Sequence, residues 1–321
     1  MNILVLSAGR RTSLVTLFKG ALLPLGGSVV AADIDGLAPA ALIADSAFCV
    51  PRVQDPAYKE AILDLVSTNR ISAVIPTIDT ELAPLEGMKV ALGELGCVAV
   101  VGDSELLRVA ADKLITAASF GDAGFRVPRW WHEGEADQAV EAGCELFIKP
   151  RFGSSSADAY AVDPGQLIST MTQVDRPIIQ ERIRAPEVTV DAFLDFDGRP
   201  IHYVPRRRLK TVGGESVQGV TIDDEESGDW LRSVMEHLSA LGGIGPVTIQ
   251  YFDDDDGPIL LEVNARFGGG FPLGHAAGAV YPEWIVTLLR GEKVEPSLGS
   301  YERGLYMTRT LTEQFVSSPL W

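Results

Sequence analysis

The chain has 321 residues, a formal net charge of −17, 46% hydrophobic and 22% charged residues. That is the composition of a soluble globular protein with room for two or three domains, and its acidic excess opposes nucleic-acid binding unless basic residues cluster locally. No apolar run reaches the roughly 18 residues of a membrane span. The opening MNILVLSAGRR has no basic segment ahead of its apolar core, so it reads as a first strand and not as a secretion signal. Cys49, Cys97 and Cys144 are widely separated, which argues against a disulfide framework or a metal cluster and for buried thiols in a cytoplasmic protein. His132, His202, His237 and His275 lack zinc-ligand spacing.

Over the first hundred residues, short apolar runs at 3–7, 29–33, 73–77 and 97–102 alternate with amphipathic stretches such as Pro56–Ser67. This alternation predicts a parallel sheet wrapped by helices, with ligands beyond the carboxyl ends of the strands. The polar tips there include Ser7, Gly9, Arg10, Asp33, Asp35, Thr77, Asp79, Thr80 and Glu81. SAGRR is not a GxGxxG motif, so it supports no dinucleotide site. Residues 102–114 predict a helix with Lys113 late in it, where a cation would favour the helix C-terminus.

A helix at 114–122, a second near 136–142 and the run ELFIKPRFGSSSADAYAV (145–162) follow. The last reads as strand, loop, strand, with Lys149 ending the first strand. A Gly/Ser loop of this kind is either a plain hairpin turn or a phosphate cradle, and the lysine and arginine before it favour the cradle. PIIQERI reads as a strand, and EVTVDAFLD and PIHYVPRRRLK as antiparallel strands joined at Asp197–Gly198. Arg206 and Arg208 then share one strand face, with Arg207 on the other. A loop at Gly213 and Gly214, a helix at 227–242 and the hairpin PVTIQYFDDDDGPILLEVNA come next. The four aspartates at its tip read as a solvated turn, because their spacing is not that of a calcium loop. A helix near 282–290 and a strand in RGLYMTRTL complete the pattern.

The stretch ILLEVNARFGGGFPLG (259–274) concentrates the chemistry. Glu262, Asn264 and Arg266 are spaced by two and project from one face of a strand end. Alone, they fit a structural Glu–Arg pair or a hard-cation site equally well. Gln250 lies twelve residues before Glu262, across a tight hairpin, so Gln250, Glu262 and Asn264 become three oxygen donors about one point. With Lys113, Lys149, the FGSSS loop and Arg206–Arg208 as cations and N–H donors, the set suits a metal–triphosphate complex.

Taken together, ILVLSAGRR, PTIDTEL, Asp112–Lys113, FIKPRFGSSS, IIQERI–PEVTVD and LLEVNARFGGG give the chain a resemblance to the ATP-grasp superfamily. It is similar to the branch that holds carbamoyl phosphate synthase synthetase domains and PylC-like amino-acid ligases. The resemblance implies an α/β fold: a Rossmann-like domain over 1–103, then an ATP-grasp domain over 104–321 with a lid lobe at about 115–182 and a C-terminal lobe at about 183–321. It further implies that Lys113 and Lys149 contact ATP phosphates under Ser154, Ser155 and Ser156. Gln180, Glu181 and Ile183 would hold adenine, and Glu187 the ribose. Gln250, Glu262 and Asn264 would hold Mg²⁺ or Mn²⁺, with Gln250 where the superfamily commonly has Asp. Arg266 would stabilise the transferred phosphoryl group, with Arg206 and Arg208 reaching the γ-phosphate or an acyl phosphate. Arg10, Asp79, Glu81, Gly268 and Gly269 would meet substrate, the glycines by letting it approach the phosphates. The implied activity is carboxylate–amine ligation through an acyl phosphate, on a small carboxylate and an amine. The alternatives are a small-molecule kinase or carbamoyl-phosphate-type enzyme, and a non-enzymatic nucleotide binder. A homodimer is the implied assembly.

Overall fold

The computed structural model describes residues 1–153, 158–212 and 215–321. In the N-terminal region, apolar pentads and hexads buried on both faces form the central strands, as parallel sheets require. The elements run β1 (Asn2–Leu6), α1 (Thr12–Leu22), β2 (Ser28–Asp33), α2 (Pro39–Ile43), β3 (Ser46–Cys49), α3 (Tyr58–Asn69), β4 (Ile71–Ile75), α4 (Leu82–Glu86), α5 (Lys89–Glu94) and β5 (Val98–Ala99). All pairings are parallel, in the order β3-β2-β1-β4-β5. The chain moves outward from β1 through β2 to β3, then crosses to the other side of β1 for β4. The switch point between β1 and β4 is where such sheets hold ligands. The strand β3 was not legible in the sequence, because SAFC is short and lies half exposed at the sheet edge.

The two helices expected at 102–114 and 114–122 are α6 (Ser104–Ala111) and α7 (Lys113–Asp122), with the break at Asp112, two residues earlier than expected. Asp112 is extended, and its side chain accepts from the Leu114 N–H at 3.0 Å, which makes it the N-cap of α7. Lys113 therefore opens a helix instead of ending one.

A four-stranded antiparallel sheet follows, ordered β6-β9-β7-β8. It contains β6 (Trp130–Trp131), β7 (Leu146–Pro150), β8 (Tyr160–Val162) and β9 (Pro177–Glu181), with α8 (Ala136–Glu141) and α9 (Leu167–Met171) packed on it. Its small core, which includes Ala139, Leu146, Ile148, Leu167 and Ile179, is separate from the main one. The helix α7 packs instead on α6 and on the main body.

The third sheet has six antiparallel strands: β10 (Glu187–Leu194), β11 (Pro200–Val212), β12 (Glu215–Thr221), β13 (Gly245–Phe252), β14 (Ile259–Asn264) and β15 (Tyr306–Thr308), in the order β14-β13-β10-β11-β12-β15. The helices are α10 (Gly228–Ala240), α11 (Phe271–Ala276) and α12 (Tyr281–Leu289). One hydrophobic core runs from this sheet into the N-terminal sheet. There α1 packs on α12, and Phe18 meets Phe267 edge-on at 6.0 Å. That docking sets the β1/β4 switch point opposite the end of β14.

Two smaller expectations are corrected. Cys49 is exposed and Cys144 half-buried, so of the three thiols only Cys97 is a buried one. The aspartate run is not simply solvated: Asp253 pairs with Arg207 at 3.2 Å and Asp254 with Arg126 at 3.0 Å. No helix among the described residues is long and apolar enough to cross a membrane.

Candidate active site

The site is the polar face of the third sheet. In a strand, residues spaced by two share a face, and directly paired residues on neighbouring antiparallel strands share it too. Glu187, Thr189 and Asp191 of β10 lie on that face. Thr189 pairs with Arg206 on one side and Gln250 on the other, and Asp191 pairs with Thr248. Gln250 pairs with Glu262, and Thr248 with Asn264, as the hairpin spacing predicts. Four strands thus pool carboxylates, amides, hydroxyls and guanidinium groups on one floor. Arg207 points away to Asp253, as the alternation requires.

On this floor the Asn264 Nδ2 donates to Glu262 Oε1 at 3.1 Å, and the Arg266 Nη2 donates to Asn264 Oδ1 at 3.3 Å. Gln250 Nε2 donates to Glu187 Oε1 at 2.6 Å, and Arg208 donates to the same oxygen. Glu187 therefore adds a second carboxylate beside the predicted donors. Gln250, Glu262, Asn264 and Glu187 form an all-oxygen donor set of the kind Mg²⁺ prefers. Among the described residues no cluster of three or more His, Cys, Asp or Glu could hold a metal unaided. A cation here fits as one that takes part of its shell from phosphate oxygens.

Two cavities of about 420 Å³ each open off the floor. The first lies between the four-stranded sheet and the floor. Its lining includes the apolar Phe147, Ile183, Phe252 and Leu261 together with Lys113, Lys149, Glu187, Gln250 and Glu262. That lining suits a flat apolar group with a polyanionic tail. Gln180 is buried and pairs with Phe147 in the four-stranded sheet. Glu181 lines the cavity too, but its carboxylate is held by Arg129 Nε at 2.8 Å. Lys149 is 8% exposed; burial, and secondarily the charge of Lys113, push its pKa down to about 8 against the pull of Glu262 and Glu187. Burial also lowers the pKa of Lys113, whose Nζ donates to the Gly153 carbonyl at 2.5 Å. An uncapped cation at a helix N-terminus opposes the helix dipole. Its position is enforced by Asp112, which caps α7 and also grips Arg151 beyond β7 at 2.6 Å. Ser154, Ser155 and Ser156, and the loop at Gly213 and Gly214, lie outside the described residues.

The second cavity lies between the floor and the β1/β4 switch point. Its lining includes Arg10, Arg11, Thr77, Asp79, Arg206, Arg208 and Arg266, with the Gly268–Gly270 run. Arg266 Nη2 donates to Asp79 at 2.6 Å, so a residue of the third sheet's edge is tied to the N-terminal domain. Gly153, Gln250 and Glu262 line both cavities.

Two expectations are corrected here. Glu81 does not face substrate. It is 1% exposed beneath the switch point, accepting from Ser7 Oγ at 2.7 Å and from Tyr58 at 3.2 Å, and burial raises its pKa to about 7 against those bonds. Arg206 reaches the cavity wall but is no mobile anion ligand: it is 3% exposed and held by Asp191 at 2.8 Å. Gly268–Gly270 line the second cavity, and Gly270 and Gly274 also make room for that ion pair. A Cβ on Gly270 would lie 2.3 Å from Arg206 Nη1, one on Gly274 2.7 Å from Asp191 Oδ2, and one on Gly268 2.9 Å from Thr248 Oγ1. Gly269 differs, with Arg11 Nη1 at 3.7 Å from such a Cβ.

Sequence reasoning missed Asp191, Arg11 and the hydroxyls of Thr189 and Thr248, while Thr77 stood among the predicted strand tips. The spacing by two of Glu187, Thr189 and Asp191 within an otherwise apolar strand was the available signal.

Comparison with known proteins follows this division. The family model described as "PylC-like, N-terminal domain" matches residues 3–101. The model described as "ATP-grasp in the biosynthetic pathway with Ter operon" matches residues 173–310. A D-alanine–D-alanine ligase of Corynebacterium urealyticum is 25% identical over 177 residues, covering 47% of this chain and 49% of that protein. A formate-dependent phosphoribosylglycinamide formyltransferase of a Synechococcus species is 24% identical over 262 residues, covering 75% of this chain and 64% of its own. The chain thus spans half to just under two thirds of these relatives' lengths. The biotin carboxylase domain dimer of Hydrogenobacter thermophilus 2-oxoglutarate carboxylase, solved with MgADP, ADP and bicarbonate, superposes with a TM-score of 0.76 at 17% identity. That match covers 95% of this chain and 73% of the other, and at that identity it is a likeness of fold.

Proposed function

We propose that this chain, an ATP-grasp protein with a PylC-like N-terminal domain, joins a small carboxylate to an amine at the expense of ATP. The observation that carries the reading is the shared wall: Gly153, Gln250 and Glu262 face both the lysine-lined cavity and the arginine-lined one. ATP in the first cavity would place its terminal phosphoryl group where a carboxylate in the second can reach it.

In this reading, Lys113 and Lys149 bind the phosphates and Gln180, Glu181 and Ile183 surround the adenine. Glu187 stands between the ribose region and the metal donors. Gln250, Glu262 and Asn264, with Glu187 beside them, would hold Mg²⁺, which supplies charge neutralisation at the phosphates. A carboxylate oxygen attacks the terminal phosphorus and ADP leaves, giving an acyl phosphate. The amine nitrogen then attacks the acyl carbon, phosphate departs, and the surplus amine proton passes to the phosphate or to water. No side-chain nucleophile is needed. Positioning, fixed positive charge from Arg266 and Arg208, and exclusion of water by the four-stranded sheet do the chemical work. Arg206 contributes from a fixed place, as the strut beneath the glycine run. The names of the two curated relatives, a ligase and a formyltransferase, are compatible with this class of reaction.

Hydroxylamine tests the reading, because it intercepts acyl phosphates as hydroxamates. The protein with ATP, Mg²⁺, hydroxylamine and pooled small carboxylates is expected to form hydroxamate in step with ADP. ADP release that needs a carboxylate yet leaves no hydroxamate, or no carboxylate-dependent ADP release at all, would count against an acyl phosphate.

A further inference from the structure

We propose that Glu187 is a positioning residue: it turns the Gln250 carboxamide so that its oxygen, and not its amino group, meets the metal carried with the nucleotide. This rests on the metal–nucleotide reading of the site above and adds what orients its amide donor. A carboxylate presents oxygen to a cation in either flip, whereas a carboxamide does so in one flip only and repels it in the other. A glutamine among the donors therefore needs a partner that fixes its flip. Both amides of the floor have one. Asn264 is held from inside the donor set: its Nδ2 donates to Glu262 at 3.1 Å, and Arg266, which can only donate, gives an N–H to its Oδ1 at 3.3 Å. Gln250 is held from outside it, by Glu187 at 2.6 Å.

The register of the sheet sets this up. Thr189 lies directly opposite Gln250, yet its buried hydroxyl has no hydrogen-bond partner. The partner is Glu187, two residues along β10 on the same face, at the diagonal where long side chains still meet. A carboxylate only accepts, so the group of Gln250 that faces it is the amino group, and Oε1 is turned away from Glu187. Among the described residues no protein group donates to that oxygen. Gln250 and Glu262 pair across the hairpin, on the wall that both cavities share. Glu187 Oε1 is filled: it takes both Gln250 and Arg208, one for each lone pair. Glu187 therefore serves the cation through Gln250. Arg208 anchors it from β11, so Gln250, Glu187 and Arg208 form a row across the neighbouring strands β13, β10 and β11.

The test uses the full chain and no turnover. Calorimetry measures ADP binding with Mg²⁺ and with a chelator in its place, and the quantity read is the factor by which Mg²⁺ tightens it. In Glu187→Ala this factor is expected to fall about ten- to a hundredfold, the range for an outer partner of a metal ligand, while binding without Mg²⁺ reports that the variant is folded. In Gln250→Ala it falls too, and adding Glu187→Ala to that variant is expected to lower it no further, since Glu187 acts only through Gln250. The exchange Glu187→Gln/Gln250→Glu keeps the net charge and the hydrogen bond and gives the cation a carboxylate. It is expected to restore most of the factor, and restoring none of it overturns the inference. An equal loss with and without Mg²⁺ in Glu187→Ala, with no discrimination left between ADP and 2′-deoxy-ADP, makes Glu187 a ribose ligand only and overturns it. Additive losses in the double alanine variant make Glu187 a direct metal ligand and overturn it too. Parent protein that binds ADP no better with Mg²⁺, or not at all, overturns the metal reading and the inference together. A factor that behaves as expected in a chain that forms no hydroxamate from any carboxylate supports the inference and overturns the ligase reading.

Discussion

At the scale of single residues, the site rests on a buried ion pair that neither partner announces. Arg206 and Asp191 are 3% and 2% exposed and 2.8 Å apart. The pair is closed over by Gly270 and Gly274, where any side chain would collide with it. A buried charge deprived of its partner is strongly unfavourable, so Asp191→Asn is expected to cost about 3–5 kcal/mol of stability. Gly270→Ala should fail in the same direction, because Arg206 is pinned and cannot swing aside. Chemical denaturation of the two variants checks this, and midpoints equal to the parent's would show that the pair bears no load. The sequence made Arg206 and Arg208 legible as one face of one strand. It left Asp191 unread, because which residue stands beside it depends on strand register, and register is a property of the assembled sheet.

At the scale of elements, β7 and α7 bring two lysines to the first cavity. Asp112 joins them, capping α7 while holding Arg151 just after β7. Burial pushes the Asp112 carboxyl up, but the bonds from Arg151 and the Leu114 N–H outweigh it and hold the group below its usual range. The sequence put the break between α6 and α7 two residues late, since Asp112 is as compatible with a helix interior turn as with a cap until Arg151 is folded against it. Lys149 carries a pH signature. Its folded-state pKa is near 8, against 10.5 for an ordinary lysine. Between those values the unfolded chain binds more protons, so the penalty this lysine places on stability is full below about pH 8 and fades as pH rises toward the ordinary value. Phosphate binding by Lys149, as proposed, has the opposite sign, because it needs the ammonium. ADP affinity is therefore expected to fall as pH rises through about 8, approaching about tenfold per pH unit for one proton. Calorimetric titration of MgADP from pH 7 to 10 checks it. Lys149→Arg, which keeps its charge throughout, is expected to flatten the profile, and a profile unchanged by that substitution would remove Lys149 from the phosphate site.

At the scale of the molecule, the N-terminal sheet and the six-stranded sheet share one core, and the second cavity lies at their junction. The alternation of strands and helices and the hairpin placing Gln250 beside Glu262 were legible from spacing, whereas the meeting of the N-terminal strand tips with the glycine run was implied by the resemblance alone. Glu81 was misplaced because a carboxylate at a strand tip can turn inward as easily as outward, and only Ser7 and Tyr58, distant in sequence, decide which. The proposed function makes one claim: a phosphoryl group passes from the lysine-lined cavity to a carboxylate in the arginine-lined one. The most direct measurement supplies carboxylates labelled with ¹⁸O in both carboxyl oxygens, together with ATP, Mg²⁺ and an amine pool, and weighs the phosphate released. Transfer through an acyl phosphate predicts one ¹⁸O atom in each phosphate formed with ADP, and loss of that product in Glu262→Gln. Phosphate released at the same rate with no label from the carboxylate would contradict it.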